Sequence, residues 1–113
     1  MLLRLDVEDR DGTALITATG EIDAATADSL STAVTGALED GSPRVLVDFA
    51  QVTFIDSTGL GVLVKAHRGA GEKGAIFGVV HPTPQTLKLI RVLGLDLLLN
   101  IYDSPEQALA EPS

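Results

Sequence analysis

The chain has 113 residues, with 16 acidic against 8 basic side chains, 2 His and no Cys, which suits one domain of ordinary size and leaves no room for a second core. At 45% hydrophobic and 21% charged it has the composition of a folded soluble domain, and with three Phe, one Tyr and no Trp its core must be aliphatic. Lack of Cys excludes a disulfide frame, a thiolate metal site and a Cys nucleophile, the longest apolar stretches fall short of the ~18 residues of a membrane span, and a formal charge of −8 argues against nucleic acid, whose phosphates need basic patches.

The opening M-L-L-R-L-D-V-E-D places acids where a signal peptide would continue its apolar run, so no targeting segment is read and a cytoplasmic location is expected. Nine of the acids fall within residues 1–43, opposed only by Arg4 and Arg10. That excess serves solubility or forms an acidic face for a basic protein partner. No repeat or linker divides residues 1–113, so a single domain is expected.

Leu3, Leu5 and Val7 alternate with Arg4, Asp6 and Glu8, the period of a half-buried strand. The Asp11-Gly12 turn signal and the Thr-rich apolar run Thr13 to Gly20 complete a predicted β-hairpin. Leu30, Val34, Ala37 and Leu38 form the apolar stripe of a first helix, with Asp23 or Thr26 as its cap and Gly41 past its end. Val45-Leu46-Val47 reads as a strand covered on both faces and ending near Asp48.

A second helix is predicted from about Ser57 to His67 or Arg68, with Gly69, Gly71 and Gly74 breaking the chain, and Ala75 to Val80 is a further buried strand. Thr83-Pro84 opens a third helix with Leu87, Ile90 and Leu93 on one face and Gly94 at its end. Leu97 to Tyr102 contains a last short strand, and Ser104-Pro105-Glu106-Gln107 is a capping box for a short terminal helix. The order ββαβαβαβα implies an α/β fold, with a mixed, mainly parallel sheet and helices packed on it. Function is then expected at the C-terminal ends of the strands.

The most informative segment is V-L-V-D-F-A-Q-V-T-F-I-D-S-T-G-L-G-V-L, residues 45–63. A polar cluster, Asp56-Ser57-Thr58, precedes the apolar helix positions Leu60, Leu63 and Val64. Gly59 and Gly61 follow in the first turns, where each costs about 1 kcal/mol relative to Ala. Glycine there permits close approach of another backbone or a large group. From residue types alone Ser57 is either a helix cap, a common job for Ser, or a residue that carries chemistry.

D-S-T-G-L-G after an aliphatic strand resembles the phosphoacceptor motif of STAS domains of the bacterial anti-sigma factor antagonist kind. G-E-I-D at residues 20–23, P-T-P-Q at 82–85, L-G-L-D at 93–96 and I-Y-D-S-P-E-Q-A-L at 101–109 are similar to further family segments in the same order. The resemblance implies a non-enzymatic STAS fold that binds an anti-sigma factor, itself an ATP-dependent serine kinase, and so frees a sigma factor. It implies that the kinase phosphorylates Ser57 and breaks the complex, and that a PP2C-type phosphatase reverses this. Asp23, Asp56, Thr58 and Gly59 become partner-binding neighbours of Ser57, with no cofactor, metal or catalytic residue. An alternative within the family is a scaffold or regulatory subunit of a stress-sensing or transport assembly.

Other readings fit less well. Gly69 to Gly74 matches GxGxxG, but it follows a helix and precedes a strand, the reverse of the dinucleotide context, and is expected to be a flexible connection. A serine hydrolase elbow needs Gly where Ile55 stands, and His67, ten residues along the same helix and about 15 Å away, cannot serve Ser57. His81 reads as a loop residue before Pro82, and two isolated His give no metal-ligand spacing. A receiver domain would use Glu8, Asp9 and Asp48 as an acidic pocket, but strand one runs into a second strand where that fold needs a helix, and the last strand lacks the required Lys.

Overall fold

The computed structural model describes residues 2–110. A two-residue turn at Asp11 (φ 52°) and Gly12 (φ 90°) joins β1 (Leu3–Arg10) to β2 (Thr13–Ile22). Positive φ at both positions is the turn whose twist matches antiparallel strands, which is why Asp-Gly stands there. Then follow α1 (Ala27–Glu39), β3 (Arg44–Ile55), α2 (Ser57–Glu72), β4 (Ile76–Val80), α3 (Pro84–Val92), β5 (Asn100–Tyr102) and α4 (Pro105–Ala110), with a 3-10 turn at Leu95–Leu97. The five strands form one sheet in chain order, with β1 antiparallel to β2 and the other pairs parallel.

Alternation in the strands sorts side chains to two cores. Ile16, Val45, Val47, Phe49, Phe77 and Val79 face α1, α2 and α3, which contribute Leu30, Leu63 and Ile90 to the same cluster. Leu15, Leu46 and Val80 face the other way, onto Ala108 of α4. The central strands are therefore apolar on both faces, as the run Val45-Leu46-Val47 indicates. The fold class and element order match the sequence reading.

Three boundaries differ from it. β3 does not end near Asp48 but continues to Ile55, because its pairing with β2 shifts register between Thr17 and Thr19 and again between Gly20 and Glu21. Past Asp48 the buried positions are Phe49, Val52 and Ile55, a spacing of three that hides the strand from a period-two reading. α2 does not stop at His67 or Arg68. It runs to Glu72, so Gly69 and Gly71 lie in its last turns and the GxGxxG match is mostly helix rather than a flexible connection. α3 buries Ile90 and packs Leu89 against the core, whereas Leu93 is 54% exposed just past the helix end.

The terminal caps follow the sequence more closely. Thr83 Oγ1 accepts from the Thr86 amide at 3.2 Å with Pro84 in the first turn, and Ser104 Oγ accepts from Gln107 N at 3.1 Å. Gln107 reaches back to the Asp103 amide, one residue earlier than a capping box requires.

Candidate functional site

The site lies at the C-terminal ends of β2 and β3. Ile22 and Ile55 are paired in register and both buried. Asp23 and Asp56 therefore leave adjacent strands at equivalent points, with the strand backbones about 4.8 Å apart. The Asp56 amide also donates to Ile22 O at 3.2 Å, which stitches the two exits together.

Asp56, not Ser57, caps α2. Its backbone is extended (φ −113°, ψ −173°) and its Oδ1 accepts from Gly59 N at 3.1 Å. Ser57 and Thr58 occupy the first two helical positions and are exposed. Amides at these positions have no acceptor within the helix, and the helix dipole is positive here. The cap role open to Ser57 from residue type is thus filled by its neighbour, and the Ser57 hydroxyl stands toward solvent beside an anion-tolerant helix end.

Asp23 is buried and shapes the turn before α1. Its Oδ1 accepts from Ala25 N at 2.9 Å and Thr26 N at 3.1 Å. Thr26 is the N-cap of α1 by position but its side chain makes no capping bond; its hydroxyl accepts from Asp23 N at 2.9 Å and donates to Glu21 O at 2.7 Å. The turn is therefore held by reciprocal bonds between Asp23 and Thr26. Nearby, Glu21 Oε2 is buried without a hydrogen-bond partner among the described residues.

Gly59 owes its identity to the protein's own interior. A Cβ there would sit 2.7 Å from both Ile22 Cγ2 and Ile55 Cγ1, whereas one on Gly61 would meet open space. The close approach expected from glycine is thus that of α2 to the ends of β2 and β3. Gly59→Ala should lower stability by about 1–3 kcal/mol through overpacking. Gly61→Ala should raise it by up to about 1 kcal/mol through helix propensity. Thermal unfolding of the two variants checks both signs.

One feature of this end is not marked by any motif. An open apolar groove of about 370 Å³ lies beside the β3 exit, lined by Phe54, Ile55, Thr86, Lys88, Leu89 and Val92. Phe54 is 46% and Val92 72% exposed. Alternation does not reveal this, because the register shifts between β2 and β3 break the period-two pattern before Phe54.

The remaining candidates are separate from this end. His67 lies on α2 with its Nδ1 buried and without a partner among the described residues, far along the helix from Ser57. His81 follows β4 with φ 52°, and its Nδ1 is 3.1 Å from Asp48 Oδ2. Glu8 pairs with Arg10, and Asp9 Oδ1 accepts from the turn amide of Gly12, so each serves its own hairpin. Among the described residues no group of three or more His, Asp or Glu could hold a metal ion, and no helix is long and apolar enough to cross a membrane.

Known proteins resemble this chain in sequence and fold. The family model described as "Mlab, STAS domain" matches residues 5–100. An anti-sigma F factor antagonist of Paenibacillus polymyxa is 27% identical over 112 residues, covering 98% of this chain and 96% of the relative. The anti-sigma-F factor antagonist RsfB of Mycobacterium tuberculosis is 30% identical over 107 residues, covering 95% and 87%. The crystal structure of an anti-sigma factor antagonist from Mycobacterium paratuberculosis superposes with a TM-score of 0.87 at 33% identity, covering 96% of this chain and 92% of that one. A matching family model over most of the chain, relatives aligned end to end and the same five-stranded fold make this protein a member of the STAS domain family, whose matched relatives are anti-sigma factor antagonists.

Proposed function

We propose that the chain is itself an anti-sigma factor antagonist. It binds an anti-sigma factor that is an ATP-dependent serine kinase, releases a sigma factor in the cytoplasm, and is switched off when that kinase phosphorylates Ser57. A PP2C-type phosphatase returns it to the binding form. The protein contributes a surface and a phosphoacceptor, not a catalytic group.

The observation that carries this reading is the exposed Ser57 at the start of α2 with the capping role already taken by Asp56. Among the described residues its hydroxyl has no hydrogen-bond role in the fold, so modifying it leaves the helix cap intact. The phosphate arrives at the positive end of a 16-residue helix, which tolerates an anion without unfolding. Asp23 and Asp56 flank it, with Glu21 close behind, and this acidic end suits a basic partner surface. Thr58 is the exposed neighbour on the same turn. Gly59 acts by letting α2 seat on Ile22 and Ile55, which fixes where Ser57 stands. Phe54 and Val92 supply apolar area next to it, as a protein interface requires at its centre.

The test is incubation with the cognate kinase and ATP, followed by peptide mass spectrometry. Phosphate on Ser57 alone is expected. Phosphate on Thr58, or elsewhere with Ser57 unmodified, overturns the assignment. A scaffold role in a stress-sensing or transport assembly would instead show stable co-purification with components other than such a kinase.

A further inference from the structure

β1 is the first strand of the sheet, so one of its edges is open. Two observations fix which backbone groups face outward. The two-residue turn makes Arg10 and Thr13 a hydrogen-bonded pair, and Glu21 N donates to Leu2 O at 3.1 Å at the other end. The register between these ends is unbroken. In an antiparallel ladder the inward groups alternate, so Arg4, Asp6 and Glu8 bond to β2. Leu3, Leu5 and Val7 then present their N–H and C=O groups to the open edge.

Side chains follow the same alternation. Leu3 and Leu5 pack against the helix-covered core, and Val7, on that face, is 60% exposed. Arg4 and Asp6 share the opposite face and form an ion pair of 3.2 Å. We infer that this edge pairs with β1 of a second copy of the chain, antiparallel, about a two-fold axis through Leu5, to make one continuous sheet.

The occupant and the register both follow from complementarity. Rotation about Leu5 sets it against the partner's Leu5, Leu3 against the partner's Val7, and Arg4 against the partner's Asp6. Each outward-facing residue meets an outward-facing residue, which allows about six backbone hydrogen bonds. The two ion pairs combine into a ring of four charges of alternating sign. Other axes through residues 4 to 8 fail on charge. An axis at Arg4, Asp6 or Glu8 opposes that residue to itself. One at Val7 sets Asp6 against Glu8 and Arg4 against Arg10.

The surface beside the edge also fits. A groove of about 570 Å³ runs between β1 and α1, where Val7, Ala14, Ala33 and Ala37 line it together with acidic side chains that include Asp9 and Asp40. The partner's Leu3, opposite Val7 on the same face, is placed at its mouth. Cross-strand apolar pairs supply attraction there, while the exposed ion pairs set register more than affinity. Ser57 lies at the end of β3, two strands away from the paired edge, so the pairing does not depend on the antagonist reading.

Sedimentation velocity of the full chain from about 1 μM to about 1 mM tests this, a range that spans ordinary weak and moderate dimers. A monomer–dimer equilibrium is expected. Arg4→Asp or Asp6→Arg alone places two like-charge pairs across the axis and should weaken the dimer by about tenfold. Arg4→Asp combined with Asp6→Arg should restore it to within about twofold of the parent. All these side chains are exposed, so circular dichroism and thermal unfolding should match the parent. Amide exchange at Leu3, Leu5 and Val7 should slow as concentration rises. A chain that stays monomeric throughout overturns the inference and marks the charged strand as a device against edge pairing. A dimer in which the double variant is as weak as the singles overturns the register.

Discussion

Phosphorylated at Ser57, the chain should bind its anti-sigma kinase roughly 150-fold more weakly than the unmodified form, with its fold intact. The phosphate adds about −1.5 to −2 charge at neutral pH on a position beside Asp56 and close to Asp23. Against a partner seated over Ser57, the bulk of the phosphate and the desolvation of its charge should remove about 3 kcal/mol of binding free energy, which corresponds to that factor in affinity. Calorimetric titration into the kinase with nucleotide present measures it. Ser57→Ala should bind as the parent does and resist release. Because Asp56 and not Ser57 holds the helix cap, this variant should also keep the parent's thermal stability. Ser57→Asp should fall between, with one charge and no tetrahedral oxygens. Asp56→Ala and Asp23→Ala should both weaken the complex, but the first also loses the helix cap, about 1 kcal/mol, and the second the two amide bonds that hold the turn before α1. Their binding data therefore need a stability control that Ser57→Ala does not. Equal affinity of the phosphorylated and unmodified chains would remove the switch.

Leu63→Asp and Val47→Asp should leave no cooperatively folded protein at ambient temperature. Both side chains are fully buried, Val47 in the central strand of the sheet and Leu63 on the helix face laid over it. Among the described residues no basic side chain is buried that could pair with a new carboxylate there. An unpaired charge there costs several kcal/mol beyond the lost apolar contacts, against a total stability of about 5–15 kcal/mol for a domain. Thermal melts followed by circular dichroism check this. A transition near that of the parent would mean these positions tolerate water.

Local chemistry made much of the fold legible. Asp11-Gly12, Thr83-Pro84 and Ser104-Pro105 each act within a few residues, and each occurs where the sequence places it. Errors arose where distant elements decide. β3 outruns its apparent end because β2 forces two register shifts on it. α2 continues through Gly69 and Gly71 because α1 and the sheet hold it, Leu38 Cδ1 lying 3.9 Å from where a Gly69 Cβ would be. Leu93 fits the stripe of α3, yet the helix ends first and leaves it in solvent.

The candidate site divides in the same way. D-S-T-G-L-G and G-E-I-D point to its residues, but not to their division of labour. That Asp56 caps, Asp23 locks the turn with Thr26, and Gly59 seats the helix depends on the Ile22–Ile55 register, which no single segment encodes. The groove beside Phe54 was hidden for a further reason: how far α3 covers an apolar strand residue depends on tertiary packing that no local pattern records.

The sheet lists its strands in the order of the chain, and this has a kinetic consequence. Each new strand joins the free edge of the one completed just before it, so no strand waits for a later one to be inserted beside it. Hydrogen-bonded strands are never separated by more than one crossover, which keeps the loop-closure entropy of each strand pairing small. During synthesis the hairpin can recruit α1 and β3 before α3 has left the ribosome, since folding proceeds from the N-terminus as the chain emerges. The three-residue β5 then closes the far edge and the six-residue α4 folds back last over Leu15, Leu46 and Val80, and the same order in reverse should make these C-terminal elements the first to open in native-state exchange.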